Sequence, residues 1–279
     1  MLHAADVPRV FYQQIAVLNL TMAFPQRESL FLALVVFGLG VVSPGELRAE
    51  TLPDRRPALP GSGSGSLVNL IDAEALFQKG QRDAWVMFDC SVAPDGIVFG
   101  SDFFTASPDS RLLKNEIRRR LRQTRFIPAV YNHKRTSAWF AGTVVLVVAN
   151  GQPRLRLYAN QDFDEIKRGA DFVAPQLIYV PNRYIADLPD YPGAAKHAEA
   201  SGVVKLRHSV DANGKTTDVQ VISERAQARL GGRPASGYQF GEYLTKAVPL
   251  LDFMPGYRNG RPTATSYTLT WWFGRTIGW

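Results

Sequence analysis

The feature that most narrows the fold is an alternating run that occurs twice. Val86, Phe88, Cys90 and Val92 recur as Val204, Leu206, His208 and Val210, at a constant offset of 118. A tight turn follows each run, Asp95-Gly96 in the first and Asn213-Gly214 in the second. Period-two alternation around Asp-Gly or Asn-Gly predicts a β-hairpin, because such turns need positive backbone φ. Further on, Leu113, Ile117, Leu121 and Phe126 match Phe240, Leu244, Val248 and Phe253 at an offset of 127. Phe126-Ile127-Pro128 and Asn132 keep that offset against Phe253-Met254-Pro255 and Asn259. The change of offset places nine extra residues between second strand and helix in the later copy, around Gly231-Gly232-Arg233-Pro234. Each copy reads strand, turn, strand, helix, strand. Two copies are too few for a solenoid, so the expected fold class is α+β, a tandem of two small domains.

The segments outside the copies divide the rest of the chain. Leu30 to Val42 is apolar throughout, preceded by Arg27 and followed by Ser43-Pro44-Gly45. Thirteen residues fall short of the ~20 that cross a bilayer and suit the core of a secretory signal, with a cut after Ala49. A short retained anchor is the alternative. Residues 1–49 are therefore an upstream extension and signal peptide, or a short anchor, and residues 50–66 a Pro/Gly/Ser tether. The first copy spans 67–158, a connector 159–190, and the second copy 191–279. Pro175, Pro181, Pro189 and Pro192 keep helix out of the connector. Asn150-Gly151 turns the chain into an added strand near Arg154 to Tyr158, and Asp162 to Arg168 suits a short helix. Cys90 is the single cysteine and so has no intrachain partner for a disulfide; between Phe88 and Val92 it reads as a buried thiol.

Charge is concentrated in one place. Between Arg111 and Arg135 lie nine basic residues and one acidic, a net +8 against +7 for the whole chain. Ser107-Pro108 predicts the start of a helix, with Ser107 as N-cap. Leu113, Ile117 and Leu121 form its buried stripe. Arg111, Lys114, Arg118, Arg119 and Arg122 occupy the remaining surface, either as a solvated face or as a basic patch for an anionic partner. Nucleic acid is set aside as a partner for an exported chain.

The motifs of the second copy point to a family. Tyr191-Pro192-x-Ala194, Gly202-Val203-Val204, Val210-Asp211-x-Asn213-Gly214, Phe253-x-Pro255, Asn259-Gly260-Arg261-Pro262 and Trp272-Phe273 resemble the TonB C-terminal domain over about 80 residues. The first copy looks like a diverged, shorter member that lacks Tyr-Pro and the opening helix. The resemblance implies a three-stranded antiparallel sheet backed by a helix. It also implies a partner, an extended peptide of an outer-membrane receptor that pairs with the edge of the sheet. Strand addition would satisfy the unpaired N–H and C=O groups of an exposed edge. Thr263, Thr265, Ser266, Thr268 and Thr270 have strand propensity without being greasy, which suits such an edge. By resemblance, Tyr191 and Pro192 lie near the partner; otherwise Pro192 only starts a helix, with Tyr191 packed beneath it. Energy transducers of the family carry an anchored N-terminal helix with a histidine and a long Pro-rich spacer, and this chain departs from both. The copies could instead pair edge to edge, within the chain or between chains.

The expected function is thus a non-catalytic, exported, periplasmic protein that binds an envelope protein or peptide segment. An energy transducer anchored in the inner membrane is the alternative. An envelope hydrolase using Cys90 or a histidine finds less support, since His3, His133, His197 and His208 are scattered without metal-ligand spacing. No cofactor and no metal is called for. Asp89, Asp95, Asp211 and Asp218 are read as turn residues of the hairpins.

Overall fold

The structure, a computed structural model, describes residues 51–169, 171–179, 192–197, 200–227 and 238–273. The expected signal or anchor, Leu30 to Val42, lies outside them, as do Tyr191 and the Gly231–Pro234 insertion. In the first unit, β1 (Arg55–Arg56) and β2 (Leu59–Pro60) lead through a 3-10 turn at Gly63–Gly65 into α1 (Leu67–Leu70) and α2 (Ala73–Gln78). The Asp72 carboxylate caps α2, accepting from the Ala75 N–H at 2.8 Å. The hairpin β3 (Ala84–Val92) and β4 (Val98–Ala106) follows, then α3 (Arg111–Leu121), β5 (Phe126–Ile127), β6 (Ala129–Tyr131) and the 16-residue β7 (Lys134–Ala149). β8 (Gln152–Tyr158) folds back on β7, and α4 (Phe163–Arg168) leads on to the second unit.

The second unit follows. β9 (Phe172–Val173), β10 (Gln176–Tyr179) and α5 (Gly193–His197) precede the hairpin β11 (Ser201–Val210) and β12 (Thr216–Gln227). Then come α6 (Phe240–Ala247), β13 (Phe253–Met254), β14 (Gly256–Arg258), β15 (Arg261–Thr263) and β16 (Thr265–Phe273). All ladders are antiparallel, in a mixed α+β architecture.

The ladders hold the offsets seen in the sequence. Val86 pairs with Val144 and Ala106, as Val204 pairs with Trp271 and Glu224. Cys90 faces Phe140 as His208 faces Tyr267. Even the irregularities correspond: both hairpins shift register at Met87/Phe88 and Ser91/Val92, matched by Lys205/Leu206 and Ser209/Val210. The turn glycines show why the spacing is strict. Gly96 and Gly214 have φ of +81° and +83°, and an added Cβ would lie 2.2 and 2.1 Å from the carbonyl oxygens of Phe126 and Phe253. Only glycine tolerates both the conformation and the approach.

Each sheet buries its alternating face against its helix. Val86, Phe88, Cys90 and Val92 pack with Leu113, Ile117 and Leu121 in one core; Val204, Leu206, His208 and Val210 pack with Phe240, Leu244 and Phe253 in the other. Cys90 is 2% exposed, as its phase in the strand requires.

Several expectations need correction. Ser110, not Ser107, is the N-cap of α3, and its hydroxyl donates to the Ser107 carbonyl at 2.6 Å, so Pro108 belongs to the preceding turn. The stretch read as a tether is built into the fold. β1 pairs with β6 and β2 with β5, as β9 pairs with β14 and β10 with β13, at a third offset of 117. Proline ends these two-residue strands without preventing them, since strand edges tolerate its missing N–H. The opening helix expected only in the second unit also has a counterpart, α2 ahead of β3.

The two units interlock. The Gln176 side chain receives the Ala58 N–H and donates to the Ala58 carbonyl, both at 2.8 Å and both buried. Ile178 and Tyr179 of β10 pair with Ala138 and Ser137 of β7, while Gln176 and Leu177 pair with β13. Glu165 of α4 takes a two-pronged contact from Arg258 of β14, at 2.8 and 2.9 Å, and the guanidinium holds its carboxyl below the ordinary range.

Candidate functional site

A strand with an unpaired side is the natural docking element of a small sheet, and the two units treat their closing strands differently. β7 pairs with β3 on one side from Ala138 to Leu146. Its other side is taken by β8, from Thr143 to Ala149, and by β10 at Ser137 and Ala138. β16, its counterpart, pairs with β11 over nine consecutive positions, from Val210↔Thr265 to Gly202↔Phe273. Among the described residues nothing pairs with its other side.

The side chains of β16 sort by the pleat. Thr265, Tyr267, Leu269, Trp271 and Phe273 share the face of His208 and Val204 toward the helix, with Phe273 stacked on Phe240 at 4.3 Å between ring centroids. Ser266, Thr268 and Thr270 stand opposite Ser209, Arg207 and Lys205 on the outer face. Ser266 and Thr268 are exposed. Four of the residues expected at the edge, Thr265, Ser266, Thr268 and Thr270, therefore lie on one strand. Thr263 does not join them: it closes β15 opposite Gly256, and its hydroxyl donates to the Arg261 carbonyl. Pro192 is half-buried immediately before α5, the position of a helix-starting proline.

The opposite border of this sheet, β12, is built differently. It carries two register shifts against β11, and Val221 and Ile222 stand 40% and 46% exposed around one of them. Bulges twist an edge away from strand partners. β16 has no register shift, no proline and no charged side chain. Its backbone is the straighter template for an added strand.

Two polar groups lie inside the molecule. His208 is fully buried between Tyr267 and Phe253, with ring centroids at 4.3 and 5.0 Å, and burial pushes its pKa down to about 4. It is a neutral packing element. Asp89, read from the sequence as a hairpin turn residue, stands in the middle of β3 directly opposite Asp102. It is 5% exposed, because the chain after β8 crosses the outer face of the first sheet. There the Gln161 amide donates to the Asp89 carboxylate at 2.8 Å and to the Phe88 carbonyl at 2.9 Å. Burial raises the Asp89 pKa to about 7, with Gln161 opposing the rise. The other turn aspartates behave as expected: Asp95 accepts from the Ile97 N–H, and Asp211 from those of Asn213 and Lys215. Asp218 lies within β12 and accepts from Gln220.

The residues read as a basic patch lie on or at the end of α3. Arg111, Arg118, Arg119 and Arg122 are exposed and Lys114 half-exposed, over the fully buried Leu113, Ile117 and Leu121. Among the described residues no three His, Cys, Asp or Glu side chains gather as a metal site, and no helix is long and apolar enough to cross a membrane.

Comparison with known proteins gives one match. Residues 187–232 fit the family model of the Gram-negative bacterial TonB protein C-terminal. The match covers α5, β11 and β12 and supports the family resemblance there; the motifs from Phe253 to Phe273 lie beyond it. The first unit lies outside it. No curated protein and no solved structure matches the chain.

Proposed function

We propose that this chain is an exported, periplasmic, non-catalytic protein that binds an extended peptide segment of another envelope protein by strand addition at β16. One observation carries the reading: of two closing strands in equivalent positions, β7 has its second side taken at Ser137–Ala138 and Thr143–Ala149, whereas among the described residues nothing pairs with the second side of β16. An unpaired row of backbone donors and acceptors is completed by a peptide strand, and the alternate outward side chains select it. Ser266, Thr268 and Thr270, beside Arg207 and Lys205, form a polar platform for such a segment. The family match at residues 187–232 supports a protein partner in the cell envelope, and an outer-membrane receptor segment is the partner the resemblance suggests. We read the first unit as a diverged tandem copy, supported by its common registers and bulge positions, whose binding edge has been taken over by β8 and β10.

Site-directed crosslinking tests the edge. Cys90 is buried, so an introduced cysteine is the reactive thiol of the described region. Thr268→Cys carrying a photoactivatable thiol label is expected to capture an envelope protein, whereas Gln220→Cys on the bulged β12 border is not. Capture from both positions alike, or from neither, removes β16 as the docking edge.

A further inference from the structure

We propose that the outward face of α3 docks on a bilayer surface rich in anionic phospholipid. Arg111, Asn115, Arg118 and Arg122 recur at spacings of four, three and four residues, which sets them in one row along the helix. The three arginines span about 16 Å. Glu116, the one acid of the helix, is already engaged by Arg119 and, at 3.0 Å, by Arg120. Among the described residues Arg111, Lys114, Arg118 and Arg122 have no carboxylate within salt-bridge distance, and Arg118 is held over the Phe103 ring at 5.2 Å.

The second unit is an internal control for what the fold itself needs. At the offset of 127, the positions of Arg111, Lys114, Arg118 and Arg122 are occupied by Tyr238, Gly241, Thr245 and Pro249. The same helix packs on the same registers without these cations, so sheet and core do not require them. Of the +8 carried by the stretch from Arg111 to Arg135, α3 and its C-cap Arg122 hold six basic residues and one acidic, a net +5, while the chain outside the stretch is nearly neutral.

The kind of partner follows from what the face lacks. Leu113, Ile117 and Leu121 are wholly buried beneath it, so the apolar stripe of the helix is taken up by the core and is not offered to a peptide's side chains. A headgroup layer needs no groove. It offers many phosphates in a plane, and guanidinium groups bind phosphate in a two-pronged geometry. A basic residue at an anionic surface contributes about fivefold in partitioning, so three together amount to roughly a hundredfold.

The test is co-sedimentation of the full chain with vesicles of phosphatidylglycerol and phosphatidylcholine, against phosphatidylcholine alone. Wild-type protein is expected to favour the anionic vesicles and to lose that preference in high salt. Arg111→Gln/Arg118→Gln/Arg122→Gln is expected to lose about a hundredfold, with its thermal melting unchanged, and the corresponding triple Lys variant to keep most of the binding. Pure phosphatidylcholine vesicles report any contribution of the apolar run at Leu30 to Val42, which all three proteins share. Equal partitioning of wild type and the Gln variant overturns the proposal, as does a wild type indifferent to phosphatidylglycerol. Retention on immobilised polyglutamate without vesicle binding also overturns it, in favour of an acidic protein partner. None of these outcomes bears on strand addition at β16.

Discussion

Replacing Asp89 with asparagine should change how stability depends on pH, in a direction the structure dictates. Burial raises the Asp89 pKa from 3.8 to about 7 in the folded protein. Between those values the folded state holds a proton that the unfolded chain has lost, so this group's contribution is fully present below about pH 4 and lost as pH rises through 7. Three pKa steps correspond to about 4 kcal/mol. His208 acts in the opposite sense, since its folded pKa falls from 6.5 to about 4. Its contribution is full above 6.5 and is lost as pH falls toward 4, about 3 kcal/mol in all. In the wild type these two slopes nearly cancel between pH 4.5 and 6.5. Asparagine preserves the carbonyl that accepts from Gln161 but cannot ionise, so the His208 slope is left uncovered. Urea melts at pH 4.5, 5.5, 6.5 and 7.5 should show the Asp89→Asn protein gaining on its parent steadily, by about 3 kcal/mol or more across the series. A difference that stays constant within about 1 kcal/mol over that range would refute a desolvated carboxyl at this position.

Other substitutions probe the joints of the fold. Gly214→Ala forces a side chain into positive φ and against the Phe253 carbonyl, and should cost about 3 kcal/mol or more, read as a lowered denaturation midpoint. Gly96→Ala should behave alike if the two turns are equivalent, and a neutral result at either would show that the hairpin tip can move. Gln176→Ala leaves both backbone groups of the buried Ala58 unsatisfied, for roughly 2–5 kcal/mol. Gln176→Glu should recover only part of that, because it can still accept from the Ala58 N–H but cannot donate to the carbonyl.

The hairpins and helices were legible because their signals are local. Alternation at Val86 to Val92 and Val204 to Val210 states which face is buried, and Gly96 and Gly214 state where the chain turns. The offsets relate the copies to each other but not strands within a copy, so the pairing of Cys90 with Phe140, fifty positions on, comes from the structure. The lead-in strands were not legible. Arg55-Arg56 and Phe172-Val173 occupy equivalent places with unlike chemistry, and two residues have no period to detect. Asp89 was missed for a different reason. Its phase marks it as outward, and the cover over that face comes from Gln161, seventy-two residues away. Thr263 was grouped with the edge because the threonines look continuous in sequence, whereas the backbone passes from β15 to β16 between Thr263 and Thr265.

Two units on the same registers separate what the architecture demands from what it leaves free. Glycine at both turns, an apolar stripe on both helices and paired bulges on both hairpins are demands. The arginine row on α3 and, among the described residues, the unpaired side of β16 appear in one unit each, so neither follows from folding alone. An open border that served nothing would be expected to carry the protections seen elsewhere in this chain: the bulges of β12, the arginines of β8, the prolines of β2 and β15. β16 has nine consecutive pairs and a Ser/Thr face instead. That contrast is why β16, rather than β12, is the edge to test as the proposed docking strand.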